Sequence, residues 1–253
     1  MRTIIGFGFL ALMVLGCERK KNDDRVERNA YEFPEAFQNG LDAHGGLSLW
    51  NGFGTLTFNE ISGEDTISHL LDLKNRNERM EKKGEYKIGF TQDTVSTYPS
   101  VNSFPNKNPR FFHNLRFYFF AIPFVTADDG ANQEEMPAGE LNGVGYNRIK
   151  ITFGDDVGIA PKDQYVLWYD QKTHLLEMIN YSVTYFDESK SEQYNAIVFG
   201  QWKDFHGLKM PTEMIGYKWE NEKLGEERYR KYFDAIGFSR ERPDPSVFVD
   251  LQD

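Results

Sequence analysis

Tyr165-Val166-Leu167-Trp168-Tyr169 runs into the turn formers Asp170-Gln171-Lys172-Thr173, and a second apolar-rich segment follows over 175–186. Two strand-like runs joined by four turn residues predict an antiparallel pair, because parallel pairing needs a crossover of about a dozen residues or more. In the second run Ile179, Tyr181, Val183 and Tyr185 alternate with Asn180, Ser182 and Thr184. That alternation predicts a sheet with one apolar face and one wet face. Toward the C-terminus the rhythm continues over 193–202, 209–219 and 228–238, broken by turn formers at 187–190, 203–207 and 220–225. Upstream it holds over 146–153, and again over 56–60, 68–74, 78–83 and 86–90. The expected fold is mainly β: one antiparallel sheet of about ten strands, large enough to twist and curl.

Two segments interrupt this rhythm with helical spacing. Phe33, Phe37, Leu41 and His44 recur on one helical face, Pro34 suits a first turn, and Gly45-Gly46 supplies a stop within the helical stretch 33–50. The second helix begins at Asn108-Pro109, a cap residue followed by proline at the first helical position. Nearly half of the residues from Arg110 to Phe124 are aromatic, and apolar side chains occupy most faces from Phe117 onward. Such a helix must be covered on most sides. It is expected to fill the concave side of the sheet, either as a plug in the core or as a lid over a cavity. The polar, glycine-rich stretch 128–143 reads as a loop.

The N-terminus has a different character. Met1-Arg2-Thr3 precedes an apolar and glycine run over 4–15, and then come Gly16-Cys17 and the polar Glu18-Arg19-Lys20-Lys21. A helical run of that length rises about 18 Å, too short for a hydrocarbon core of about 30 Å. The pattern is that of a secretory signal, and Val14-Leu15-Gly16-Cys17 resembles the lipobox of bacterial lipoproteins. The expected organisation is a signal peptide over 1–16, lipid attachment at Cys17, a flexible tether over 17–31 and one folded domain over 32–253. Acylation with two or three chains anchors stably, since each buried CH₂ contributes about 0.8 kcal/mol and a single chain is marginal.

Composition narrows the function. The 253 residues are 40% hydrophobic, 27% charged and 15% aromatic, with 29 Lys and Arg against 39 Asp and Glu, a net charge of −10. An acidic chain without clustered bases is a poor nucleic-acid binder. The single cysteine excludes an intramolecular disulfide.

The lipobox-like segment, the N-terminal helix, the meander and the Phe-rich helix together resemble the LolA/LolB and LppX-type family of lipid-handling envelope proteins, in its uncharacterised branch. The motifs that carry the resemblance are Ala43-His44-Gly45-Gly46 with Trp50, Phe120-Ala121-Ile122-Pro123-Phe124, Tyr165-Val166-Leu167-Trp168-Tyr169-Asp170 and Gly207-Leu208-Lys209-Met210-Pro211-Thr212. They span about residues 33 to 240. The resemblance implies a half-barrel whose mouth is closed by helices and whose cavity takes acyl chains or another hydrophobic molecule. Leu71, Met80, Phe117, Phe120, Phe124, Trp168, Tyr181 and Tyr185 are expected to line that cavity. Arg79 and Arg116, set among apolar neighbours, are candidates to receive an anionic headgroup. Expected partners are a lipid or hydrophobic small molecule, the membrane through Cys17, and another envelope protein; the location is the cell envelope, at the outer membrane.

Catalytic signatures are absent. The sequence holds no G-x-S-x-G, Walker loop, H-E-x-x-H or dinucleotide fingerprint. Its five histidines lie far apart, and Asp128-Asp129-Gly130-Ala131-Asn132 lacks the spaced ligands of a calcium loop. No cofactor, metal or enzymatic activity is expected. Three readings stay open: a lipid-binding carrier, an interaction module with a filled core, and a hydrolase in which two or three of His44, Arg148 and Asp163 would have to converge. The first requires a cavity beneath Phe117 and Phe120.

Overall fold

The computed structural model describes residues 33–92, 94–105, 108–154, 158 and 160–252. The expected signal segment, Cys17 and the expected tether lie outside the described residues. Twelve strands form one antiparallel sheet: β1 (Thr55–Ser62), β2 (Asp65–Asp72), β3 (Asn77–Lys82), β4 (Tyr86–Phe90), β5 (Val95–Tyr98), β6 (Ala131–Leu141), β7 (Val144–Phe153), β8 (Tyr165–Asp170), β9 (Leu176–Tyr181), β10 (Asn195–Phe205), β11 (Leu208–Glu220) and β12 (Lys223–Ser239). Three α-helices accompany them: α1 (Glu35–Ala43), α2 (Leu47–Trp50) and α3 (Pro109–Ala121).

The sheet runs β5-β4-β3-β2-β1-β12-β11-β10-β9-β8-β7-β6. From β1 to β5 and from β6 to β12 consecutive strands are antiparallel neighbours, most of them joined by short connections, while the first and last strands pair in the middle, Leu56 opposite Phe238. The two edges, β5 and β6, are therefore joined by the one long connection, and that connection carries α3. The result is an open, curved half-barrel with α3 laid into its concave side.

Inward residues follow the pleat. Leu56, Phe58 and Glu60 alternate inward along β1, and Leu167 and Ile179 face each other on the inner side of β8 and β9. They meet Phe117, Phe119, Phe120 and Phe124 in one core. Asn108 caps α3 as its position suggests, its side-chain oxygen accepting from the Phe111 amide at 3.1 Å. The N-terminal helical stretch breaks in two at Gly45 and Gly46, whose φ angles of 109° and 84° only glycine adopts readily. Phe37, Leu41 and His44 are fully buried along its inner face. The C-terminal segment returns over the outer side of β3 and β4. A β-carbon at Gly89 would collide with the Phe248 carbonyl oxygen, so the close approach there depends on glycine.

Among the described residues the sheet has twelve strands where about ten were expected, the two additional ones being its edges. Three other expectations need correction. The stretch 128–143 contains β6, whose side chains are mostly exposed on both faces; such an edge leaves no two-residue apolar period to read. β5 has only four residues. β9 ends at Tyr181, and the chain leaves the sheet there: the amide and hydroxyl of Thr184 donate to Asp163 at 2.6 and 2.7 Å. Nor is the outer face wet at this point, since Asn180, Ser182 and Thr184 are all buried. A second apolar cluster covers the convex side, built on Tyr146, Val166, Trp168, Met178 and Ala196.

Candidate functional site

α3 presents aromatic and charged side chains to the concave face, and cavities lie on two of its flanks. The first, of about 250 Å³, is lined by Phe111, Phe117 and Tyr118 from α3, by Phe153 and Tyr165 from the sheet, and by Arg76, Asp128 and Asp163 at its polar side. Arg76 binds both carboxylate oxygens of Asp128, at 2.9 and 2.7 Å, and its guanidinium carbon lies 5.1 Å from the centre of the Phe117 ring. The second cavity, also about 250 Å³, lies between α3 and the middle of the sheet. Phe119, Tyr181, Met214 and Phe233 supply apolar walls, and Glu60, Arg116 and Lys231 bring charge into it.

Two buried ionic groups tie α3 to the sheet. Glu78 on β3 is fully buried and accepts hydrogen bonds from His69 Nδ1 at 2.6 Å and from His113 Nδ1 on α3. Burial pushes its pKa up, but His113 and His69 more than offset this and hold it at about 2. Glu60 Oε1 lies 3.0 Å from Lys231 Nζ and 3.4 Å from Arg116 Nη1. Burial raises the Glu60 pKa, and Lys231 and Arg116 bring it below the ordinary value. For Lys231, burial is the larger effect and its pKa is lowered, Glu60 opposing only in part.

The sequence-derived candidates separate into groups. Phe117 lines the first cavity; Tyr181 and Arg116 line the second. Leu71, Phe120 and Phe124 have no exposed surface and fill the core: Phe124 lies stacked on Trp50 with ring centroids 4.7 Å apart. So a cavity lies beside Phe117, while Phe120 is packed within the core. Met80 is buried with Ile88 and Phe90 in a satellite cluster under the start of α3. Tyr185 lies beyond the end of β9, its ring 4.9 Å from that of Phe111 and its hydroxyl accepting from Asn108. Trp168 is on the convex face, where its indole N–H donates to Asn180 at 2.7 Å and Arg148 covers its ring. Arg79 also points outward, 3.4 Å from Glu81, since its neighbours Glu78 and Met80 point in.

Glu60, Glu78, His69, His113 and Lys231 were not anticipated as site residues. For the two glutamates a signal exists: each occupies an inward position of an otherwise apolar alternation, Glu60 after Leu56 and Phe58, and Glu78 before Met80. The three residues of the conceivable hydrolase are in different settings. His44 is buried with Nδ1 on the Gly40 carbonyl at 2.8 Å, Arg148 is on the convex face, and Asp163 is held by Thr184. Among the described residues no group of three or more His, Cys, Asp or Glu side chains is placed to hold a metal ion, and no helix is long and apolar enough to cross a membrane.

Neither a protein-family model nor a curated protein matches the chain. Among solved structures it is similar to a DUF1329 family protein from Desulfovibrio piger, at 10% identity and a TM-score of 0.49, covering 85% of this chain and 100% of that one. It is also similar to a LolA superfamily protein from Nitrosomonas europaea, at 9% identity and a TM-score of 0.45, covering 86% of this chain and 97% of the other. An outer membrane lipoprotein-sorting protein domain from Vibrio parahaemolyticus shares 8% identity with a TM-score of 0.41, covering 81% and 97%. At such identities the likeness concerns shape, and no residue role is carried over.

Proposed function

We propose that this chain is an envelope lipoprotein, anchored through an acylated Cys17, that holds a lipid or other hydrophobic ligand between α3 and the concave face of its half-barrel. The observation that carries this reading is the pair of aromatic-walled cavities flanking α3. Each, at about 250 Å³, is just below the size range of ligand pockets, about 300–1,000 Å³. A bulky lipid therefore requires α3 to lift from the sheet, whereas a slender chain fits beside it with small side-chain shifts. No residue of the site has the arrangement of a nucleophile with its base, and binding, not turnover, is what the geometry supports.

A second reading is a non-catalytic interaction module of the envelope. It is favoured by the complete packing of Phe120, Phe124 and Leu71, which leaves the centre of the core dry and filled. Two measurements separate the proposals. Radiolabelled palmitate should enter the wild-type chain and not Cys17→Ser; equal labelling removes the anchor. Solvent extraction of the Cys17→Ser chain, purified without detergent, should release lipid; an empty extract favours the interaction module.

A further inference from the structure

We infer that the second cavity selects an amphiphile with an anionic head, whose oxyanion is received by Arg116 and Lys231 while its chain lies among Phe119, Tyr181, Met214 and Phe233. This rests on the proposed lipid-binding role and specifies its ligand class.

The cavity holds two cations and one carboxylate, Arg116 and Lys231 against Glu60. The side chains of Glu60 and Arg116 keep only 5% and 14% of their surface, while that of Lys231 keeps 26%. Arginine stays protonated in any protein setting, and a buried charge without a partner is costly. Glu60 does not discharge this demand. Its Oε1 is shared between the two cations, and Arg116 Nη1, 3.4 Å away, is buried without hydrogen-bond geometry to any group. Nor does the next inward carboxylate supply the lack, because both oxygens of Glu78 are taken by His69 and His113. The guanidinium fork thus retains donors in a walled, largely apolar space. A carboxylate or phosphate matches that fork in geometry and charge, and the neighbouring rings and Met214 suit an alkyl chain. A neutral head leaves the surplus positive charge unanswered.

The test uses the full chain with Cys17→Ser and the neutral fluorophore N-phenyl-1-naphthylamine, displaced in turn by decanoate, decyl phosphate and decanol. The expected result is displacement by decanoate or decyl phosphate at concentrations at least tenfold lower than by decanol. The ranking of the two anions identifies the head as carboxylate or phosphate. Arg116→Gln should bring acid and alcohol to within about threefold, and Arg116→Lys should restore part of the preference, which separates loss of charge from loss of packing. Equal displacement by acid and alcohol in the wild-type chain overturns the headgroup assignment and leaves the lipid-binding role standing. Failure of all three to displace the fluorophore overturns both.

Discussion

Phe120 of α3 lies flat on Phe58 of β1, ring centroids 3.9 Å apart and planes 13° from parallel. Phe58 in turn stacks on His69 at 4.3 Å, and His69 is bonded to Glu78. One column of rings thus joins the helix, the middle of the sheet and a buried carboxylate. Phe120→Ala removes the top of that column and leaves a cavity, at a cost of about 3–5 kcal/mol. Urea unfolding measures it; a loss below about 1 kcal/mol would show that α3 is not seated on the sheet in this way.

Two buried groups give stability a stepped dependence on pH. His44 is held at about 4 instead of 6.5 by burial, and Glu78 at about 2 instead of 4.5 by its histidine partners, despite burial. Both take up a proton more readily in the unfolded chain than in the folded one. His44 therefore contributes stability that is full above pH 6.5 and lost as pH falls toward 4; Glu78 contributes stability that is full above pH 4.5 and lost toward 2. Each step is on the order of 3 kcal/mol. Urea midpoints compared at pH 7, 4 and 2 should fall at both intervals in the wild-type chain. His44→Gln should flatten the first interval and Glu78→Gln the second. Unchanged slopes in the variants would contradict the assignment.

Phe117 and Trp168 stand on opposite faces, and their substitutions should separate binding from stability. Phe117→Asp places a carboxylate in the first cavity and should remove whatever lipid is held on that flank of α3, with the far side of the sheet still folded. Trp168→Ala should cost about 3–5 kcal/mol in the convex cluster with lipid content per folded chain unchanged. Solvent extraction alongside urea unfolding reads both, and lipid loss in Trp168→Ala alone would reverse the assignment of faces.

Gly89→Ala should lower the unfolding temperature. The added carbon drives the Phe248 carbonyl, and with it the C-terminal segment, off β4, at a cost of about 1–3 kcal/mol. An unchanged melting temperature would mean that the segment does not rest there.

Much of the architecture is legible in the chain itself, and what is not has physical causes. Alternation marks strands such as β1 and β7, where one face is apolar and the other solvated, an unbroken apolar run marks β8, and Asn108-Pro109 with its aromatic run marks α3. The edges escape because β6 is solvated on both sides and β5 is too short for a period. Trp168 is on the convex face, which the sequence does not reveal because all six residues of β8 are buried; when both faces are covered, alternation no longer tells inside from outside. Arg116 stands out in an aromatic helix, but its partners Glu60 and Lys231 come from β1 and β12, which only the meeting of the first and last strands brings together.

The most direct test of the central claim is native mass spectrometry of the Cys17→Ser chain, purified without detergent and then incubated with a total lipid extract. The account predicts a species heavier than the bare chain by one amphiphile, released by solvent and carrying an acidic head. A spectrum showing only the bare chain, before and after incubation, would contradict it.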